Sequence, residues 1–218
     1  WRPAGWTPPP PGSGSAPACE CDRGTMLRTG TFYGLFACYF IGCLAGLTAI
    51  SIAQPVGTEV AGVSAALATA LVGFFAIFNG LGRPVFGSLT DRITPQKTAM
   101  LTFALIAAAS LLIWLVPGVP SYIVAFAILW GCLGGWLAIA PTATASYFGT
   151  CDYPRCYGVV FLAYGAGAIA GPQVAGFIRT ASGTYLGVFP LVAALAVVGF
   201  VIAWLLMRPP SRVPAPEK

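Results

Sequence analysis

Histidine is absent from the 218 residues, and Asp, Glu, Lys and Arg together make up only 8% of them. The first absence removes the side chain that most often serves as a general base or metal ligand near neutral pH. The second excludes an ordinary water-facing globule, which carries about 25% charged residues. None of the six acidic residues falls inside a long apolar run, and no serine is paired with a base. An intramembrane enzyme is therefore the remotest reading. No basic cluster is interleaved with aromatics, so the net charge of +5 does not point to a nucleic-acid partner. There is no C-x-x-C pair among the seven cysteines: Cys19 and Cys21 form a C-x-C, Cys151 and Cys156 flank a polar loop, and Cys38, Cys43 and Cys132 lie in apolar runs as small packing residues. Neither a metal nor a cofactor is expected from these spacings.

What is abundant is apolar: 57% of the chain, with 27 glycines. Long apolar runs separated by clustered charges describe an all-α membrane protein, because a helix satisfies its own backbone hydrogen bonds in hydrocarbon. Glycine and alanine let such helices approach closely. Six runs are each near the ~20 residues needed to cross a bilayer, at 31–53, 63–89, 98–116, 121–143, 157–178 and 188–207. Residues 1–30 are rich in Pro, Gly and Ser, with an unbroken run from Pro8 to Pro11, and read as an extended linker. The domain plan is thus a linker (1–30), a six-helix unit (31–207) and a tail (208–218). The chain opens Trp1-Arg2-Pro3, with no initiator Met or signal peptide, so a piece of a longer polypeptide is expected.

The charges are distributed unequally. Arg2, Arg23, Arg28, Arg92, Lys97, Arg155, Arg208, Arg212 and Lys218 fall on one side of the six spans, and only Arg179, with Glu59, on the other. Basic loops stay inside, which puts both termini in the cytoplasm of a multi-pass protein of the cell membrane.

The second span carries the chemistry. Arg83 lies six residues before Leu89, about 9 Å of helix rise, inside the hydrocarbon. An arginine there is costly and marks a functional site, and Asn79 extends its polar stripe one turn deeper. A guanidinium grips a carboxylate with two parallel hydrogen bonds, which lysine cannot do. The alternative is that Arg83 snorkels to the inner interface without a ligand. In the fifth span, Gly167-x-x-x-Gly171-Pro172-x-x-x-Gly176 strips side chains from one face and breaks a backbone hydrogen bond, as a rocking helix requires, although static membrane helices use the same residues. Trp136, in a Gly-rich span, lines a pathway, anchors at an interface or simply packs.

Gly87-x-x-x-Asp91-Arg92 resembles the signature loop of the major facilitator superfamily. That resemblance implies a cytoplasmic latch, with Gly87 allowing close helix approach and Asp91 accepting hydrogen bonds at a neighbouring helix N-terminus. The continuation Ile93-Thr94-Pro95-Gln96-Lys97 lacks the usual Gly and further basic residues, so the latch is incomplete. Several blocks in order are similar to the oxalate/formate antiporter family of that superfamily: Trp6-Thr7-Pro8-Pro9-Pro10, Asn79-x-x-x-Arg83-Pro84 with Asp91, Gly134-Gly135 followed by Pro141 and Phe148-Gly149, Tyr157-Gly158, and Gly165-x-Gly167-x-x-x-Gly171-Pro172. The resemblance covers essentially the whole chain as the second half of a 12-helix transporter, residues 1–30 being its central linker. It implies alternating access, anion exchange, and carboxylate binding on the helix that carries Arg83. Oxalate-handling members pair that arginine with a lysine; here the matching position is Tyr164, and no span contains lysine.

The first expectation is therefore a transporter of small carboxylate anions. Arg83, Asn79, Trp136 and Tyr164 would bind substrate, Gly87, Asp91, Arg92, Gly167, Gly171 and Pro172 would form the latch and hinge, and an N-terminal six-helix half would supply the other wall. A monocarboxylate is favoured, because one membrane cation suits one negative charge. The competing expectation is a sensor or assembly subunit that keeps the fold but does not transport.

Overall fold

A computed structural model of the chain describes residues 22–209. The Pro-rich part of the linker and the end of the tail lie outside these residues. Seven α-helices follow one another: α1 (Arg23–Met26), α2 (Gly30–Glu59), α3 (Ala65–Arg92), α4 (Pro95–Leu115), α5 (Val119–Phe148), α6 (Tyr153–Ser182) and α7 (Val188–Leu206), with a 3₁₀ turn at Tyr185–Gly187 before α7. Six of them are long and apolar enough to cross a membrane.

Local chemistry sets the helix ends. Thr29, Ser64 and Thr94 accept hydrogen bonds from backbone N–H groups of the first turns of α2, α3 and α4, satisfying donors that a helix start leaves orphaned. Gly183 closes α6 at φ +75°, a left-handed conformation that costs a glycine nothing. Asp22 caps the short α1. The Thr25 hydroxyl, and then its backbone N–H, hold the Asp22 carboxyl below the usual carboxylate range.

The helices outrun the apolar runs that announce them. α2 continues through Pro55 to Glu59, α5 through Pro141 to Phe148, and α6 begins at Tyr153 rather than at 157. An interior proline removes one ladder hydrogen bond, and the packed neighbours hold the helix beyond it. Pro84 and Pro172 sit inside α3 and α6 in the same way.

The order of neighbours is α3, α5, α2, α6, while α4 and α7 pack on each other behind α5 and α2. Within their most apolar stretches, 67% of α2 and 61% of α5 are buried, against 17% of α3 and 28% of α6. The flanking helices α3 and α6 therefore present most of their surface outward.

The charge segregation read from the sequence reappears in space. Arg23, Arg28, Arg92, Lys97, Arg155 and Arg208 sit where α2, α4 and α6 begin and α3, α5 and α7 end, and Glu59 and Arg179 sit at the opposite end. There the Arg179 guanidinium donates to Glu59 Oε1 at 3.1 Å and to the Gly183 carbonyl at 2.6 Å, and lies 5.5 Å from the Tyr185 ring centre. One side chain thus ties the ends of α2 and α6 to the turn before α7.

Candidate functional site

Glycines decide how α3 is held. A Cβ on Gly82 would collide with the Gly131 carbonyl of α5, and one on Gly134 with the Asn79 carbonyl; one on Gly135 would lie 2.6 Å from the Phe86 ring. The two backbones therefore touch along a seam. Asn79 is half-buried in it, its side-chain amide donating to the Trp130 carbonyl at 3.2 Å. That bond uses one of the two amide N–H donors and leaves the other, with the side-chain oxygen, for further partners.

Arg83 leaves the seam. It is exposed, and among the described residues no carboxylate lies within ion-pair distance of it. At 100° per residue, the outward surface of α3 divides in two. Phe74, Ile77, Leu81 and Val85 form a stripe of large apolar side chains, as lipid requires. Thr69, Gly73, Ala76, Gly80, Arg83 and Gly87, spaced alternately four and three apart, form a second stripe in which Arg83 is the only long side chain. Gly73 and Gly80 have open space where a Cβ would stand, as do Gly158, Gly165 and Gly176 on α6.

Tyr164 is half-buried on α6 and stacks on Phe161 at 5.2 Å. Tyr39, which the sequence did not single out, lies 6.5 Å from Tyr164 and stacks at 6.2 Å on Trp136. Measured from the same end of the bundle at about 1.5 Å per residue, Tyr39 and Arg83 lie about 13 Å in, Tyr164 about 16 Å, Trp136 about 18 Å and Asn79 about 20 Å. These residues share one level of helices that are 28 to 30 residues long.

Three expectations need correction. Trp136 does not line an open path: it is fully buried, its ring filling the space left by Gly42 of α2 and packing on Phe103 at 5.2 Å. Gly87 is not required for close helix approach, since a Cβ there would meet Ala138 at an ordinary 3.6 Å. Asp91 does not cap the next helix. Thr94 caps α4, and Asp91 and Arg92 are exposed at the end of α3. In α6, Gly167 and Gly171 do meet a neighbour, with Cβ positions 3.0 Å from the Leu44 N–H nitrogen and 2.6 Å from Thr48 Oγ1, whereas Gly176 and the exposed Pro172 face outward.

Residues 34–218 match the family model described as Major Facilitator Superfamily. The chain belongs to the Major Facilitator Superfamily. Members of this superfamily are transporters rather than enzymes, and the chain is a multi-pass membrane protein with six candidate spans among the described residues. It is 29% identical over 186 residues to the oxalate:formate antiporter of Oxalobacter formigenes, covering 84% of this chain and 44% of that protein. A probable sugar efflux transporter of Mannheimia succiniciproducens is 28% identical, covering 78% of this chain and 42% of that protein. The fold is similar to that of the Escherichia coli fucose:proton symporter in its crystal structure, with a TM-score of 0.71 at 16% identity, over 85% of this chain and 45% of the symporter. The chain thus spans less than half the length of the curated relatives it matches, and has the size of half a superfamily transporter.

Proposed function

We propose that this chain is the C-terminal six-helix half of a secondary transporter that carries small carboxylate anions by alternating access, and that Arg83 is the anion anchor. The observation that carries the proposal is Arg83 itself: a permanently charged guanidinium, well inside α3, on an outward stripe of small residues and, among the described residues, without a carboxylate partner. An unpaired charge in a low-dielectric setting is unstable unless something neutralises it, and an acidic ligand does so reversibly. The small-residue stripe of α3 and the open glycines of α6 suit a second bundle packed against this face, with the substrate between the halves. Tyr164 and the second side-chain N–H of Asn79 would complete the wall on this side. Gly87, Asp91 and Arg92 would act as a latch at the basic end, and Pro172 as the bend point of α6. Charge distribution favours both termini in the cytoplasm, with 1–30 as the linker between halves, 31–207 as the membrane unit and 208–218 as a tail.

A monoanion is the favoured cargo, because this wall offers a single embedded cation. Similarity to the oxalate:formate antiporter supports the carboxylate class. Counterflow of labelled formate, oxalate, lactate and pyruvate in proteoliposomes containing the full-length transporter tests the reading. Saturable exchange of a monocarboxylate that is abolished in Arg83→Ala supports it, and exchange indifferent to that change defeats it. Residues 1–218 alone should not transport, since one half exposes its polar stripe to lipid.

A further inference from the structure

We infer that the groove between α3 and α4 holds an anionic phospholipid of the leaflet next to the basic end of the bundle, with Arg92 and Lys97 on its phosphate and an acyl chain against α3, α4 and α5. The site is separate from Arg83, which leaves α3 on the other outward stripe, and it does not depend on what the protein carries.

The groove follows from uneven packing. α3 lies closely on α5 but only lightly on α4, and the space between them opens to about 350 Å³. Phe78, Leu81 and Val85 of α3, Leu105 of α4 and Ile128 of α5 line it, together with the touching pair Gly82 and Gly131. None of its lining side chains is charged or carries a hydroxyl, and the Cys132 thiol donates to the Thr102 carbonyl at 3.8 Å. Leu81 and Val85 belong to the stripe of α3 that faces lipid. In hydrocarbon such a groove is filled by an apolar chain, because bare walls forfeit their dispersion contacts.

Both walls end in a cation. On α3, Phe78, Gly82, Val85, Leu89 and Arg92 are spaced alternately four and three apart and so share a face. On α4, Lys97, Leu101 and Leu105 stand at successive steps of four. Arg92 and Lys97 thus continue the groove-lining faces to the basic end, where they flank the short turn between the two helices. Both are exposed, and among the described residues neither has a carboxylate within ion-pair distance, the adjacent Asp91 included.

Depth decides the class of occupant. Counted from Arg92 at about 1.5 Å per residue, Val85 lies about 10 Å and Phe78 about 21 Å into the bundle. Counted from Lys97 in the same way, Leu105 lies about 12 Å in. Half of a bilayer's hydrocarbon core is about 15 Å thick. The groove therefore stands at the height of one leaflet's acyl chains, and the cations stand at the height of its headgroups. A small soluble anion would use the cations and leave the groove bare. A zwitterionic lipid would fill the groove but bring its own cation beside Arg92 and Lys97. An anionic phospholipid meets both demands, and the positive end of the α4 dipole adds to the attraction.

The test uses the full-length transporter in phosphatidylcholine vesicles that contain a minor share of phosphatidylglycerol with a photoreactive diazirine midway along one acyl chain. Illumination, digestion and mass spectrometry should find the cross-links concentrated on groove residues such as Phe78, Leu105 and Ile128, and sparse on the outward Val197 and Val201 of α7. Phosphatidylcholine carrying the same diazirine should label the groove weakly. Unlabelled phosphatidylglycerol should displace the probe, whereas inorganic phosphate should not. In Arg92→Gln/Lys97→Gln, the preference for phosphatidylglycerol over phosphatidylcholine should fall about 30-fold. Leu105→Trp, which fills the groove, should lower the cross-linking although both cations remain. Labelling no denser in the groove than on α7 overturns the inference and needs no variant to fold. Full preference retained in the double change overturns it as well, as do cross-links between two copies of the chain across the groove in place of lipid labelling. None of these readouts depends on transport, so the lipid site and the carboxylate reading stand or fall separately.

Discussion

Gly82 of α3 meets the carbonyl of Gly131 of α5 with no room between them for even a methyl group. This contact seats α3 against the rest of the bundle and fixes the direction in which the next residue, Arg83, leaves the helix. Gly82→Ala must therefore push α3 outward, and overpacking of this kind costs about 1–3 kcal/mol. Gly80→Ala, where a Cβ meets nothing within 4 Å in this half, should leave the isolated bundle unchanged. Thermal unfolding of residues 1–218 in detergent checks the pair, and equal melting temperatures for the two variants would contradict the seam.

Arg83→Ala and Arg83→Lys should fold normally, since Arg83 makes no ion pair among the described residues, and both should lose transport. Lysine keeps the charge but not the two-pronged geometry. Losing one partner of a buried charge-assisted contact costs about 2–5 kcal/mol, or about 30-fold and upward in affinity. Substrate-induced thermal stabilisation of the full-length protein measures this separately from turnover. Wild-type-like stabilisation in Arg83→Lys would show that a point charge suffices.

Tyr164→Lys should shift preference towards a dianion. The position lies on the same level as Arg83, and a second cation offsets the second negative charge of an oxalate-like ligand. The ratio of oxalate to formate counterflow should rise at least tenfold, a change of about 1.4 kcal/mol. An unchanged ratio would place Tyr164 outside the binding site.

Cysteines engineered at positions 59 and 97 should be labelled by an impermeant reagent from opposite faces of the membrane, position 97 from the cytoplasmic face. Labelling of both from one face would refute the topology. The Arg179–Glu59 pair is partly exposed, so Glu59→Cys should cost no more than about 1 kcal/mol of stability and leaves the assay usable.

The number and order of the spans were legible in the sequence because hydrocarbon tolerates little besides long apolar helices. Their ends were not. Hydropathy stops where the apolar residues stop, whereas α2 passes Pro55 and ends at Glu59, beside Arg179. Arg83 was legible because a charge inside an apolar run is conspicuous by itself. The glycine seam was not: which glycines touch depends on how two helices are rotated, so Gly87 looked as suitable as Gly82, and the gap that receives Trp136 belongs to Gly42 on another helix.

The interior prolines have a mechanical consequence. Pro55, Pro84, Pro141 and Pro172 fall one each in α2, α3, α5 and α6, and each deprives the carbonyl four residues earlier, at Ser51, Gly80, Leu137 and Ala168, of its helical donor. In α4 and α7 proline occurs only in the first turn, at Pro95 and Pro190. Compliance is therefore divided by layer: four rods with one softened joint apiece stand on a keel of two unbroken ones, and a load on the bundle is taken up as curvature in the former while the latter keeps its shape.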